Sequence, residues 1–448
     1  MAKNNIYAII GNSAAGLSAI ESIRKVDKSG KIINISKEPH RPYSRCLLSY
    51  YLAGQYPKEI LWIRPEDYYS KYNVEPLLGI TVTDVDIKNK ALSTSAKKKV
   101  TFDKLLIATG ASAKSVDIPG ADKKGVFVLR TIEDVDGMLK MLSRVKTACV
   151  LGGGLIGMRA AYALKKRGVK VHTIVKSAHI FSQMLDIEAA DIMRQHLETN
   201  GIEIATGVEA KEIIGGDSVT SVVLDDGNRL ECELIIIGKG VSANCDIIKN
   251  KIKTSGGILV DDKLETEKKG IYAAGDVAEA YDILEEKSGM NQIWPIAIRQ
   301  GKIAGLNMTG KETRYEGSYG MNSLDFFNLA VMSFGTVKPK GVKHEELIAI
   351  DTNRRLYRKI VLKGNRIVGG VLINDVARHG ILLHLALQKI DVSDIKDILV
   401  DEYFDFGKVM PLIRRQHKKF VRPEYEDAGL TYNPEISSVK FQDGHFEI

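Results

Sequence analysis

The chain has 448 residues, of which 44% are apolar and 27% charged, with a formal net charge of +8. That length exceeds one compact core, so two to four domains are expected, and the composition is that of an ordinary soluble globular protein. The positive balance permits an acidic partner, but nucleic-acid binding would require a concentrated basic stripe interleaved with aromatics, and the sequence has none.

The first apolar run, Ile6 to Ile10, stops at Gly11. It is far too short to span a membrane and follows no basic leader, so a cytoplasmic location with no membrane partner is expected. The same run reads as a strand entering Gly11-Asn12-Ser13-Ala14-Ala15-Gly16, followed by a helix over Leu17 to Lys25 and a strand Ile32 to Ile35 ending at Lys37-Glu38-Pro39. Together they make a βαβ unit of the length that binds dinucleotides. Short β-like segments follow and close on Leu105 to Gly110. A second βαβ unit opens with Ala148 to Leu151, turns through Gly152-Gly153-Gly154-Leu155-Ile156-Gly157, and continues as a helix to Arg167 and a strand Lys170 to Val175. Gly270 to Asp276 forms a later strand-like stretch. Beyond about residue 320, strand-like runs at Arg358 to Leu362 and Ile367 to Ile373 precede an amphipathic helix predicted over Arg378 to Lys389.

The fold class is therefore α/β, with two Rossmann-type dinucleotide-binding domains and a C-terminal α+β domain. The expected divisions are 1–116 and 244–320 for the two parts of the first domain, 117–243 for the second, and 321–448 for the third. Cys46, Cys149, Cys232 and Cys245 show no CxxC spacing and no metal-ligand pattern, so no disulfide framework and no metal site is expected.

Two glycine-rich turns, each between a strand and a helix, carry the chemistry. Glycine lets the backbone turn sharply and approach a pyrophosphate, which then sits at the positive end of the helix. Ser13 departs from the usual glycine, but its small hydroxyl still permits approach. Glu38 ends the second strand of the first unit, where a carboxylate accepts from ribose hydroxyls. The corresponding strand of the second unit ends Ile174-Val175-Lys176 with no carboxylate, and Lys176 and His179 suit a 2′-phosphate, which favours NADP(H) over NAD(H).

These motifs resemble the two-nucleotide flavoprotein reductases of the glutathione-reductase class, above all the branch of rubredoxin reductases, NADH oxidases and the flavin part of nitrite reductases. The resemblance rests on Gly11 to Gly16, Leu105 to Gly110, Gly152 to Gly157, Ala273 to Asp276, Trp294-Pro295-Ile296-Ala297 and Gln300-Gly301, in that order. It implies FAD at the first site, held by Gly11, Ser13, Ala14, Ala15, Gly16, Glu38, Arg45, Val82, Ala108, Thr109, Gly110, Asp276 and Trp294. It implies NAD(P)H at the second, held by Gly152, Gly154, Leu155, Ile156, Gly157, Lys176 and Gly238. It also implies that the helix after Trp294 aims its positive end at the flavin, and that the C-terminal domain is an interface domain.

Disulfide reductases of this class carry two cysteines five apart beside the flavin. Here Cys46 has Tyr51 where the second would stand, so dithiol exchange is not expected. Cys46 resembles the lone redox cysteine of NADH oxidases and peroxidases, but Ala14 replaces the histidine those enzymes place near it. Tyr50 and Arg159 replace a lysine–glutamate pair found in some relatives, which leaves Arg159 as a candidate cation at the flavin edge beside Cys46. Three functions follow from the resemblance. The first is an NAD(P)H oxidoreductase serving an acidic iron–sulfur protein such as ferredoxin or rubredoxin. The second is an NADH oxidase, peroxidase or coenzyme A disulfide reductase using Cys46. The third is an NADH-responsive flavin signalling or scaffold protein. A homodimer is compatible with each. The basic run Arg414-Arg415-Gln416-His417-Lys418-Lys419 with Arg422 is the expected docking point for an acidic partner.

Overall fold

The computed structural model describes residues 5–339, 341 and 343–416. The strand Ile6–Ile10 is apolar at nearly every position because both its faces are covered, and it lies in the middle of a five-stranded parallel sheet. Lys31–Ser36 and Lys104–Ile107 flank it, and Val74–Leu78 and Ile271–Ala273 form the edges. The chain thus leaves this sheet after Ile107 and returns to it at Ile271.

Between those points it builds a second parallel sheet. Thr147–Leu151 is central there, flanked by Lys170–Val175 and Leu234–Ile237, with Ile202–Thr206 and Val126–Val128 outermost. The outward and return passages run side by side, since Ala111–Ala113 pairs antiparallel with Val241–Ala243. Asn244 ties them together. Its side-chain amide donates to the Thr109 carbonyl at 2.9 Å, its Oδ1 accepts from the Ser112 hydroxyl at 2.8 Å, and its own carbonyl accepts from the Thr109 hydroxyl at 2.9 Å.

The helix Trp294–Met308 crosses the helix Ala14–Val26 at close range. A Cβ at Gly301 would lie 2.1 Å from the Ala15 carbonyl oxygen, and one at Gly305 would lie 2.7 Å from that of Ala19. Only glycine permits this approach, which brings the start of the later helix beside the first glycine turn.

The C-terminal sheet is antiparallel, in the spatial order Met321–Phe326, Leu329–Gly335, Arg366–Ile373, Leu356–Lys363, His344–Asp351. One face, with Ile360, Leu362 and Leu372, is covered by the helices His379–Leu387 and Phe406–Arg415. The other, with Phe326, Tyr357 and Ile373, packs on the domain built around the second parallel sheet. The first of those helices is shorter than predicted and not amphipathic. Ile381, Leu382, Leu383, Leu385 and Leu387 all join or touch the core, so its apolar surface extends around most of the circumference.

The same interface contains a charged latch. Asp186 caps the helix Ile187–Thr199 by accepting from the Ala189 amide, and also accepts from the Tyr357 hydroxyl and Lys359 Nζ, both at 2.7 Å. Lys359, almost fully buried, reaches Glu346 at 2.6 Å as well. Burial alone would raise the Asp186 carboxyl, but its bonds to Lys359 and Tyr357 hold it below the usual carboxylate range.

Candidate active site between two nucleotide sites

At the first turn Gly11 has φ +126°, and a Cβ there would lie 2.0 Å from the Ala108 carbonyl oxygen. The turn therefore presses on the segment Ala108-Thr109-Gly110 just where that chain leaves the sheet. Gly16 is equally constrained, its absent Cβ falling 2.1 Å from the Gly11 carbonyl oxygen. Ser13 is the extended residue before the helix Ala14–Val26 and makes no capping bond of its own. Neither that helix nor the one beginning at Trp294 has an acidic residue in its first turn, so both helix starts present donors without a competing carboxylate. Ala14 and Ala15 are buried, and Gly275 lies against Ala15.

Around this turn runs a charged network. Glu38 accepts from the Tyr43 hydroxyl at 2.5 Å and pairs with Arg45. Arg45 Nη1 donates to the Tyr43 hydroxyl at 2.9 Å and to the Arg130 carbonyl at 2.8 Å. Arg130 in turn pairs with Asp276 at 2.9 Å, while the Asp276 carbonyl accepts from Gln292 at 3.0 Å. Glu38, Arg45 and Asp276, expected from separate stretches of sequence, are thus joined through Arg130, which sequence reasoning missed. Its one signal was its place before the capping box of Thr131 and Asp134, which fixes a helix start beside the site. Val82 lies in the strand Val82–Asp86 with its side chain in the core, so only its backbone can face a cofactor.

Cys46 sits in the single turn Arg45–Leu47 and is exposed. Desolvation and the nearby Asp276 carboxylate push its thiol up, opposed by Ser44 and Arg130. Tyr51 turns away, its hydroxyl donating to Asp136 at 2.9 Å. Arg159 lies between two rings, its guanidinium 5.1 Å from the centre of Tyr50 and 5.4 Å from that of Phe326 in the C-terminal domain. The two departures from the lysine–glutamate pair, Tyr50 and Arg159, are therefore in contact.

The second turn repeats the first. Gly152 has φ +133°, with its absent Cβ 2.4 Å from the Gly238 carbonyl oxygen, and that of Gly157 would lie 2.0 Å from the Gly152 carbonyl oxygen. Gly154, just before the helix Leu155–Lys166, has nothing within 4 Å of its Cβ position, so the space over this helix start is open. Ile156, Gly238, Gly240, Leu129 and Arg130 line a pocket between the two sites. Lys176 is exposed and pairs with Glu209 at 2.6 Å. His179 is engaged elsewhere, with Nε2 2.9 Å from Lys338 Nζ of the C-terminal domain and Nδ1 2.8 Å from the Ile180 carbonyl. Of the basic run near the C terminus, Arg415 pairs with Asp394, whereas His417, Lys418, Lys419 and Arg422 lie outside the described residues. Among the described residues no cluster of His, Cys, Asp and Glu is placed to hold a metal, and no helix is long and apolar enough to cross a membrane.

Residues 6–301 match the pyridine nucleotide-disulphide oxidoreductase family. The chain belongs to it. Residues 321–390 match the rubredoxin NAD+ reductase C-terminal domain. The nitrite reductase [NAD(P)H] of Bacillus subtilis is 33% identical over 88% of this chain, which spans only 48% of that relative's length. The phenylglyoxylate dehydrogenase subunit epsilon of Aromatoleum evansii, described as NADH-dependent, is 30% identical over 90% of this chain and 96% of its own. Among solved structures, a ferredoxin reductase from Rhodopseudomonas palustris superposes with a TM-score of 0.78, at 27% identity, over 88% of this chain and 99% of its own.

The chain accordingly belongs to a family of oxidoreductases whose members use FAD and a nicotinamide cofactor. The residues present fit both groups. Each glycine turn has the backbone a pyrophosphate requires, each following helix starts without a carboxylate, and Arg45, Arg130 and Asp276 converge beside the first turn.

Proposed function

We propose that this chain takes hydride from NADPH at the second site and delivers the electrons to an iron–sulfur protein of the ferredoxin or rubredoxin kind. The observation that carries this reading is the flavin-side edge. It has one cysteine, its thiol pushed up rather than down, and Tyr51 is turned to Asp136, so a dithiol route is absent. The C-terminal domain, matched to that of rubredoxin NAD+ reductases, supports the same class of acceptor. When bound, FAD supplies the conversion from a two-electron hydride donor to single-electron release. The protein's part is to hold and orient. Gly11, Ser13, Ala14, Ala15, Gly16 and the Ala108–Gly110 segment would shape its cradle, Glu38 would accept from the ribose hydroxyls, Arg45 and Arg130 would supply positive charge beside it, and the helix start at Trp294 would offer its positive end to the flavin ring. Gly152, Gly154, Leu155, Ile156 and Gly157 do the same for the nicotinamide cofactor, with Gly238 closing against Gly152. The preference for NADPH rests on Val175, which removes the usual acceptor for a 2′-hydroxyl, and on the adjacent Lys176.

A second reading, reduction of oxygen, peroxide or a coenzyme A disulfide through Cys46, is favoured by the exposure of that residue. Steady-state assays of the FAD-loaded chain with NADPH and a panel of acceptors separate the two. The proposal expects ferredoxin or rubredoxin to be reduced well above the rate for oxygen, peroxide or disulfides. Preferred turnover with any of the latter three, abolished by Cys46→Ser, would establish the second reading instead.

A further inference from the structure

We propose that Lys176 and Lys239 form a clasp for the 2′-phosphate of NADPH, and that Glu209 holds this clasp closed until the phosphate displaces it. The inference rests on the NADPH reading above and adds two residues to it. Lys176 follows the strand Lys170–Val175, and Lys239 follows Leu234–Ile237. These strands lie on opposite sides of Thr147–Leu151, whose end carries the second glycine turn. One carboxylate, that of Glu209, lies 2.6 Å from Lys176 Nζ and 2.9 Å from Lys239 Nζ. It therefore spans the crevice beyond the carboxyl ends of the strands, the place where open parallel sheets bind their ligands.

Two lysines converging on one carboxylate have the geometry of an anion site already filled by the protein's own anion. The bonds are readily exchanged, because ion pairs at an exposed surface are weak and screened by water and salt. A phosphate monoester brings a charge of about −1.5 to −2 and three acceptor oxygens, against one charge and two oxygens for Glu209. Exchange is thus favourable for NADPH. The 2′-hydroxyl of NADH brings no charge, so with NADH the clasp stays closed. The surroundings suit the exchange. Val175 is buried and offers no rival carboxylate, and Gly240, beside Lys239, has nothing within 4 Å of its Cβ position. Glu209 can swing without moving the chain, because its backbone is tied to Asp225, its amide donating to Asp225 Oδ1 at 3.0 Å. The two lysines also hold the Glu209 carboxyl below its ordinary range, as expected for a carboxylate already acting as their anion.

The test is calorimetric binding of adenosine 2′,5′-bisphosphate and of 5′-AMP to the FAD-loaded full chain, with the flavin spectrum confirming that each variant is folded. The wild type should bind the bisphosphate more tightly than AMP. Lys239→Gln should weaken bisphosphate binding about tenfold, Lys239→Arg should restore most of it, and Glu209→Gln should tighten it about threefold or more, while AMP changes by less than about twofold throughout. If the wild type binds both ligands equally, the NADPH reading falls and the clasp with it. If the wild type discriminates but Lys239→Gln and Glu209→Gln behave like it, only the clasp is overturned. Weakened AMP binding in Glu209→Gln would also overturn it, since the carboxylate would then be serving ribose hydroxyls.

Discussion

In both nucleotide sites a glycine at strongly positive φ, Gly11 at +126° and Gly152 at +133°, lies against the carbonyl oxygen of a neighbouring strand's exit, Ala108 in one and Gly238 in the other. A second glycine, Gly16 or Gly157, then closes on the carbonyl of the first. Up to this point the two sites are nearly the same object. They part at the end of the next strand. The first site continues into the network Glu38–Arg45–Arg130–Asp276, whereas the second has Val175 followed by Lys176 and a carboxylate borrowed from Glu209. The backbone cradle suits any dinucleotide, and under the proposed function the charges beyond it distinguish which one binds. The sites also differ in support. The first is braced within its own domain by Gly301 and Gly305, the second from outside by the latch of Asp186 and Lys359 to the C-terminal sheet.

The comparison is broken most severely at the glycines. Gly11→Val places a branched side chain against Ala108 at a φ it rarely adopts, and FAD occupancy measured from the visible spectrum should collapse. Gly152→Val should leave the protein yellow and chemically reducible, but its kcat/KM for NADPH should fall by about a hundredfold or more, at least about 2.7 kcal/mol of barrier. A variant pair with the same phenotype would show that the two sites are not separable.

The latch comes next. Because the Asp186 carboxyl is held below its unfolded value, its stabilising contribution is present above about pH 4 and is lost as pH falls through the lower folded value. Asp186→Asn should lower stability at neutral pH by about 2 kcal/mol, with much less loss near pH 3, in denaturant unfolding. An equal deficit at both pH values would contradict the latch.

A smaller shift is expected at the base end of the second site. Lys176→Glu repels a 2′-phosphate and should move the NADPH/NADH ratio of kcat/KM towards NADH by about tenfold. A wild type favouring NADH by more than about tenfold, roughly 1.4 kcal/mol, would refute the preference. Smallest of all, Cys46→Ser should leave flavin reduction by NADPH within about twofold of wild type, since hydride transfer needs no thiol. Loss of that reduction in a folded, FAD-loaded variant would move the chemistry to the cysteine.

The two glycine turns and their strands were legible in the sequence because sterics there admit only glycine and leave a fixed spacing. The charged residues were legible where they end a strand, as at Glu38, or belong to a known segment, as at Asp276. Arg130, Asn244 and Glu209 were not, because Arg130 meets Arg45 and Asp276 across 85 and 146 residues, Asn244 meets Ser112 and Thr109 across 132 and 135, and Glu209 meets Lys239 across 30, separations that no local pattern records. Arg159 is expected from the sequence as a candidate cation at the flavin edge, but its stack between Tyr50 and Phe326 depends on how the C-terminal domain docks and leaves no local trace. The helix expected to be amphipathic over Arg378 to Lys389 instead runs His379–Leu387 with apolar residues around most of its circumference, and even His379 is buried against Phe334.

The most direct test of the whole account is an anaerobic double-mixing experiment on the FAD-loaded wild type. NADPH is mixed first, and an oxidised ferredoxin or rubredoxin second, while flavin and iron–sulfur absorbance are followed separately. The account predicts that NADPH bleaches the flavin and that the added protein restores it as its own iron centre is reduced, with Cys46→Ser behaving alike. A flavin that NADPH and NADH both leave oxidised, or one that stays reduced in the presence of each iron–sulfur acceptor, would contradict it.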